Sequence, residues 1–227
     1  MGPSEVTEKL LDKLKDLKVP ATFFLNGNFE DRCIYRYASV LHKAVKNGIT
    51  LGHHTWNHTK LENISWDKLR RELRDLDKAF LDILGFRPRL FSPPAGFTDQ
   101  DKYLAYIMAT DANIVKFSFD TKEKDKDSTD YALDHFRDFV KSGADSGISL
   151  SRDLRAKNVD EVIEKAAKIL TSGEGGERKY QLVDAETCLG FKPFYPPSWD
   201  PTKKSNLPDS KKEWNDKNKP CADFLGA

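Results

Sequence analysis

Three of the five histidines in this chain fall within LGHHTWNHTKL, residues 51–61. His54 and His58 stand four apart, and on a helical turn that spacing puts both imidazoles on one face, close enough to share a divalent metal. Alone, the pair is a weak sign, because histidines four apart are more often a solvated surface pair. No glutamate follows the first of them, so the H-E-x-x-H pattern of zinc proteases is absent. What the pair does therefore depends on the elements that carry it.

Short β-type runs alternate with helical ones along the chain. Leu10, Leu11, Leu14 and Leu17 predict a helix over 4–17 with Ser4 as its cap, and ATFFLNG (21–27) predicts a strand closed by Asn-Gly. Residues 34–47 read as helix ended by Gly48, ITLGHH as a strand running into a loop, and Trp66 to Leu84 as a long amphipathic helix ended by Gly85. RLFS (89–92) is a brief strand before the turn PPAG, and a helix is expected near 100–109. ANIVKFSFD (112–120) looks the clearest strand, and GISLS (147–151) and KYQLVDA (179–185) are two more. Helices are expected over 129–141 and 158–170, the latter capped by Asn158. This alternation implies an α/β fold with a mainly parallel sheet. After Gly190 the periodicity stops, and 191–227 reads as an irregular Pro- and Lys-rich tail after a domain of residues 1–190.

The 227 residues balance 37 Lys+Arg against 36 Asp+Glu, so charge offers no reason to expect nucleic acid or an anionic membrane as partner. No apolar run is long enough to span a bilayer, and the charged, amphipathic first 20 residues are not a secretory signal. Three cysteines, Cys33, Cys188 and Cys221, fit one bridge with one free thiol or three reduced thiols.

In this context the run G-H-H-T-W-N-H-x-x-L resembles the second motif of the polysaccharide deacetylases, the NodB-homology group or carbohydrate esterase family 4. The run GPSEVTEKLLDKLKDLKVPATFFLNG is similar to the family's segment just after its first motif. FSPPAG matches the place of the third, FDTKEK the fourth and ISLSRD the fifth, and YQLVDAETCLG resembles the ending of fungal chitin deacetylases. The resemblance covers residues 2–190 in order. It implies a distorted (β/α) barrel, a divalent metal (usually zinc), and hydrolysis of N-acetyl groups on a polymer of N-acetylglucosamine such as chitin. It also implies a secreted or cell-wall location. In such an enzyme metal and base activate a water, and a histidine protonates the leaving amine. His54 and His58 correspond to the metal histidines, and His53 falls beside them as an expected exposed neighbour.

Several matched positions depart from the family. Its first motif, T-F-D-D-G-P, supplies the base and third metal ligand; here only Gly2-Pro3 remains, which suggests a chain truncated within that motif, its first strand missing. The cysteine matching Cys188 pairs, in the fungal enzymes, with one near the N-terminus. The third motif's arginine position holds Ser92, which cannot grip a carboxylate with paired donors. The Ala95 N–H remains available for an oxyanion. In the fourth motif Asp120 is kept but the tryptophan position is Lys124. In the fifth Leu150 is kept but the histidine position is Arg152, which holds its proton at any working pH and cannot be a general acid. Arg152 instead suits an ion pair with Asp120 or Asp153.

The expected reading is a degenerate deacetylase with weak or no turnover. The alternative is a pseudoenzyme serving as a carbohydrate-binding or interaction module, with Trp56, Phe97 and Trp199 as candidate stacking aromatics, although each is also a natural packing residue.

Overall fold

The computed structural model describes residues 2–62, 64–95, 111–122, 128–152, 161–192, 207–209 and 211–225. They divide between two compact units, one of residues 1–4, 22–116 and 193–227, the other of residues 5–21 and 117–192.

The first unit is built on a parallel sheet. Strands β1 (Thr22–Leu25), β4 (Thr50–His53), β5 (Leu90–Phe91) and β6 (Asn113–Ile114) lie in the order β1-β4-β5-β6. Thr22 pairs with Thr50 and the register runs to Leu25 opposite His53. Gly52 lets this pairing close, because a Cβ there would sit 2.5 Å from the Phe24 ring and 3.2 Å from the Leu90 carbonyl oxygen. A two-stranded hairpin, β2 (Asn28–Phe29) with β3 (Arg32–Cys33), leaves the end of β1.

Helix α3 (Trp66–Leu84) packs its apolar stripe here: Leu69, Leu73, Leu76, Phe80, Ile83 and Leu84 are all buried at three- and four-residue spacing. Its start is capped by Ser65, whose hydroxyl accepts from the Lys68 N–H, and Gly85 ends it at φ 78°. Ile64, Leu69, Leu73 and Phe91 form one buried cluster, with Ile114 packed against it. The helix expected over 34–47 divides into a 3₁₀ turn, Ile34–Tyr37, and helix α2 (Ala38–Lys46).

The residues read as an irregular tail contribute two 3₁₀ turns, Lys212–Asn215 and Cys221–Phe224. Cys221 is bridged to Cys33 across 188 residues of sequence. Trp214 and Phe224 are buried with ring centroids 5.4 Å from that of Tyr35, and Arg36 Nη2 donates to the carbonyls of Lys217 and Lys219. Polar composition hid this docking because two aromatics and one cystine supply the contact. Cys188, whose counterpart pairs in the fungal enzymes, keeps a free thiol here.

The second unit contains α1 (Thr7–Leu17), α4 (Thr129–Ser142), α5 (Ile163–Ser172), the short α6 (Ala185–Cys188) and a parallel pair, β7 (Phe119–Asp120) with β8 (Ser149–Leu150). Its core holds Leu133, Phe136, Val140, Val162, Ala166 and Ile169, with Phe119 and Tyr180 packed against them. Three expectations change here. Ser4 is not the cap of α1, whose N-cap is Val6. The single strand expected over 112–120 is two short ones, β6 and β7, in different sheets, because exposed Phe117 interrupts the run where one unit gives way to the other. KYQLVDA forms no strand: the Tyr180 N–H donates to the Leu170 carbonyl, and Asp184 caps α6 by accepting from the Thr187 N–H. The helix near 100–109 and the Asn158 cap lie outside the described residues.

Phe80→Ala is expected to lower stability by about 3–5 kcal/mol in a urea titration. Leu81→Ala, one residue along the same helix but exposed, should change it by no more than about 0.5 kcal/mol. Replacing both Cys33 and Cys221 by alanine should remove about 2–5 kcal/mol and make residues 211–225 the first to be cut in limited proteolysis.

Candidate active site

Where β4 ends, the chain turns through His54 to Thr59 without becoming helical. Thr55 and His58 both adopt positive φ, 67° and 56°, so the four-residue histidine spacing is met by a strained loop rather than by a helical turn. Several groups hold it. Asn26 Nδ2 donates to the His54 carbonyl at 2.5 Å and to the Thr55 carbonyl at 3.0 Å. The Gly27 and Asn28 N–H groups both donate to the Trp56 carbonyl, at 2.9 and 2.8 Å. Trp56 is buried with its indole over Gly27, where a Cβ would lie 1.8 Å from the ring. Trp56 is thus packing, not an exposed surface for a sugar; Phe97 and Trp199 lie outside the described residues.

Sequence reasoning passed over Glu72. It lies on α3 in register with Leu69, Leu73 and Leu76, yet it is buried at 3% exposure. Its carboxylate accepts from the Asn57 N–H (2.8 Å), Asn57 Nδ2 (3.1 Å) and the Thr59 hydroxyl (2.7 Å), and its backbone carbonyl accepts from the Trp56 N–H (3.0 Å). The signal was available: a carboxylate on an apolar stripe must find donors to be buried there.

The adjacent histidines face different surroundings. His53, expected to be an exposed neighbour, is fully enclosed, because every side chain of β4 is buried. Its Nδ1 accepts the Thr55 N–H, so its Nε2 carries the proton and donates to the Leu73 carbonyl at 3.1 Å. Burial pushes its pKa down to about 4. His54 points the other way. Its Nδ1 donates to the Ser92 carbonyl at 2.5 Å, which leaves the Nε2 lone pair as the ring's free base. Burial, opposed by that hydrogen bond, holds its pKa well below the usual imidazole range. The His58 ring stands edge-on to it with centroids 4.8 Å apart, and Phe29 lies 5.0 Å from His58.

His54 thus has the donor chemistry that a divalent cation takes, a neutral imidazole whose second nitrogen is pinned to a carbonyl, and the His58 ring stands beside it. Among the described residues no group of three His, Cys, Asp or Glu side chains converges on one point. Ser92 takes part through its backbone, its N–H donating to the His53 carbonyl at 3.0 Å. Ala95, in the same unit, is exposed and has φ 60°.

The other matched residues belong to the second unit. Asp120 pairs with Leu150 across β7 and β8, and Thr121 donates to the Leu150 carbonyl through its N–H and its hydroxyl. Arg152 forks onto Asp120, with Nη1 to Oδ1 at 3.0 Å and Nη2 to Oδ2 at 3.2 Å, while the Lys122 N–H donates to Oδ1 at 2.9 Å. Partial burial would raise the Asp120 pKa, but these bonds and the guanidinium charge outweigh it and hold the carboxylate below its ordinary value. Lys124 and Asp153 lie outside the described residues.

A family model described as polysaccharide deacetylase matches residues 1–115. The chain belongs to the polysaccharide deacetylase family. It is 30% identical over 191 residues to a chitin deacetylase of Pestalotiopsis sp, an alignment covering 83% of this chain and 61% of that protein. It is 31% identical over 121 residues to a peptidoglycan-N-acetylglucosamine deacetylase of Bacillus cereus, covering 53% of this chain and 42% of the other. The chain therefore spans less than two thirds of the length of either relative. Among solved structures, the chitin deacetylase of Colletotrichum lindemuthianum superposes with a TM-score of 0.76 at 28% identity over 85% of each chain. The α/β fold with parallel strands is thus that of the family's NodB-type (β/α) barrel, and members of the family generally use a divalent metal.

Gly27→Ala should drive Trp56 out of its seat, lowering stability by about 1–3 kcal/mol and red-shifting tryptophan emission. His53 gives a pH dependence whose sign is set by its lowered pKa. The neutral ring stabilises the fold above the unfolded value of 6.5, and this contribution is lost as pH falls through about 4. Urea midpoints should drop over that window by a contribution on the order of 3 kcal/mol, and His53→Gln should flatten the profile.

Proposed function

We propose that this chain engages N-acetylglucosamine polymers of the chitin type through the family's ancestral site while releasing acetate slowly or not at all. The observation that carries the reading is Arg152, which stands where the family places its acid histidine and is committed through both terminal nitrogens to Asp120. A guanidinium keeps its proton, so the amine leaving an acetamide would find no donor there. Loss of a general acid alone typically costs about 10²–10⁴ in rate.

His54 and His58 are the residues that would hold a divalent cation, zinc by the family's habit. Bound there, it would supply Lewis-acid polarisation of an acetyl carbonyl. The chain's own residues do the rest: the Ser92 carbonyl orients His54, Phe29 packs beside His58, and the N–H of Ala95 is a candidate donor to a carbonyl oxygen. The Cys33–Cys221 cystine supports an oxidising, extracellular or cell-wall setting, where such polymers occur. No helix among the described residues is long and apolar enough to cross a membrane. A second reading, an active but divergent deacetylase, is supported by the retained His54–His58 geometry.

The test is calorimetric titration with chitin oligomers in the presence of zinc, alongside an acetate-release assay. Saturable binding is expected, weakened by His54→Ala, with acetate release at least ~10²-fold below that of a fungal chitin deacetylase assayed in parallel. Release at a comparable rate would favour the divergent enzyme, and the absence of binding would remove the carbohydrate reading.

A further inference from the structure

Glu72 is the one carboxylate on the buried stripe of α3, and among the described residues its side-chain partners all lie in the histidine loop. Burying a carboxylate is unfavourable unless donors converge on it. Here they do, and all of them are neutral: one backbone N–H, one side-chain amide and one hydroxyl. The donors come from Asn57 and Thr59, the residues on either side of His58. A fourth bond, from the Trp56 N–H to the Glu72 carbonyl, fixes the loop one residue earlier. His58 between them sits at φ 56°, and Thr55 upstream at φ 67°, conformations that β-branched and bulky L-residues leave unless their surroundings hold them.

We propose that Glu72 is a positioning residue that sets the carriage of the His58 imidazole against His54, and with it the affinity of the pair for a divalent cation. The loop has no helical hydrogen bonds of its own to define where His58 points. On either side of His58 the loop is gripped by a rigid helix reaching up from the core with a two-oxygen acceptor. Glutamine in its place keeps one acceptor oxygen and turns an amide NH₂ towards the remaining partners, so all three contacts persist only if the Asn57 side-chain amide flips and the Thr59 hydroxyl turns to accept, and the carboxylate charge that strengthens them is lost. Leucine would suit the stripe and leave all three donors without a partner. The part that concerns cation binding rests on the proposed role of His54 and His58, whereas the part that concerns His58 carriage does not.

The experiment uses the full chain, compares wild type with Glu72→Gln, and reads two signals. In the cation-free protein, NMR cross-peaks between the rings of His58 and His54 and of His58 and Phe29 report the carriage directly. In a second titration, cobalt(II) alone is added and monitored by its visible absorption. Glu72→Gln is expected to weaken or abolish the ring cross-peaks and to lower cobalt affinity about 10- to 100-fold, the usual effect of losing a group that orients a ligand. Far-UV circular dichroism and the amide exchange of β1 and β4 should stay as in wild type, which a general loosening of the fold would not allow.

Asn57→Ala with Thr59→Val removes two of the donors from the loop side. It should shift both signals in the same direction even where Glu72→Gln does not fold. Unchanged cross-peaks in a folded Glu72→Gln chain would overturn the proposal whatever cobalt does, and so would unchanged cross-peaks in the double variant if Glu72→Gln fails to fold. If wild type binds no cobalt while the variants lose the cross-peaks, the cation role of the histidines fails and the positioning role of Glu72 stands.

Discussion

The register that sets Leu25 opposite His53 governs the histidine site. Side chains alternate across a strand, so a slip of one residue would bring His54 into the layer between sheet and helix and turn His53 outward. Four consecutive pairs hold that register, and the close approach allowed by Gly52 seats β4 between β1 and β5. With the strand fixed, His53 becomes a buried neutral ring bonded at both nitrogens, and His54 emerges at the strand's end with its Nδ1 on Ser92. Burial keeps both adjacent histidines neutral, but His53 is bonded to the backbone at both ring nitrogens whereas His54 commits only its Nδ1 to a backbone carbonyl and keeps its Nε2 lone pair.

Beyond β4 the fold relies on side chains to shape a loop that its backbone alone would not adopt. Asn26 grips the first peptides, Gly27 accommodates Trp56, and Glu72 secures the far end. This arrangement preserves the pair of imidazoles. The chemistry of Asp120 has gone the other way: its carboxylate is satisfied by Arg152 and the Lys122 N–H, so it is a stable ion pair rather than a group poised to accept or orient a proton.

Much of the fold was legible in the residues. The 3.6-residue spacing from Leu69 to Leu84, ended by Gly85, specifies α3, because such a stripe has few other places to go. The runs that did not form the single strand expected of them share a cause. ANIVKFSFD and KYQLVDA carry β-type composition, but whether such a run pairs depends on neighbours distant in sequence, and Tyr180 found the Leu170 carbonyl instead of a strand. The C-terminal residues were misleading in the opposite sense, since low apolar content concealed Trp214, Phe224 and the cystine partner of Cys33.

From the order of its residues alone, this protein's membership of a family and the unsuitability of Arg152 as an acid were already determined. Each depends on a side chain's intrinsic chemistry or on a motif's spacing, and folding does not alter either. Tertiary structure alone decided that His53 is buried, that Glu72 leaves its apolar stripe's logic to hold a loop, that Arg152 closes on Asp120, and that Cys33 meets Cys221. Those outcomes depend on which donors, charges and thiols are brought within a few ångströms of one another, and that proximity is set by long-range pairing and packing.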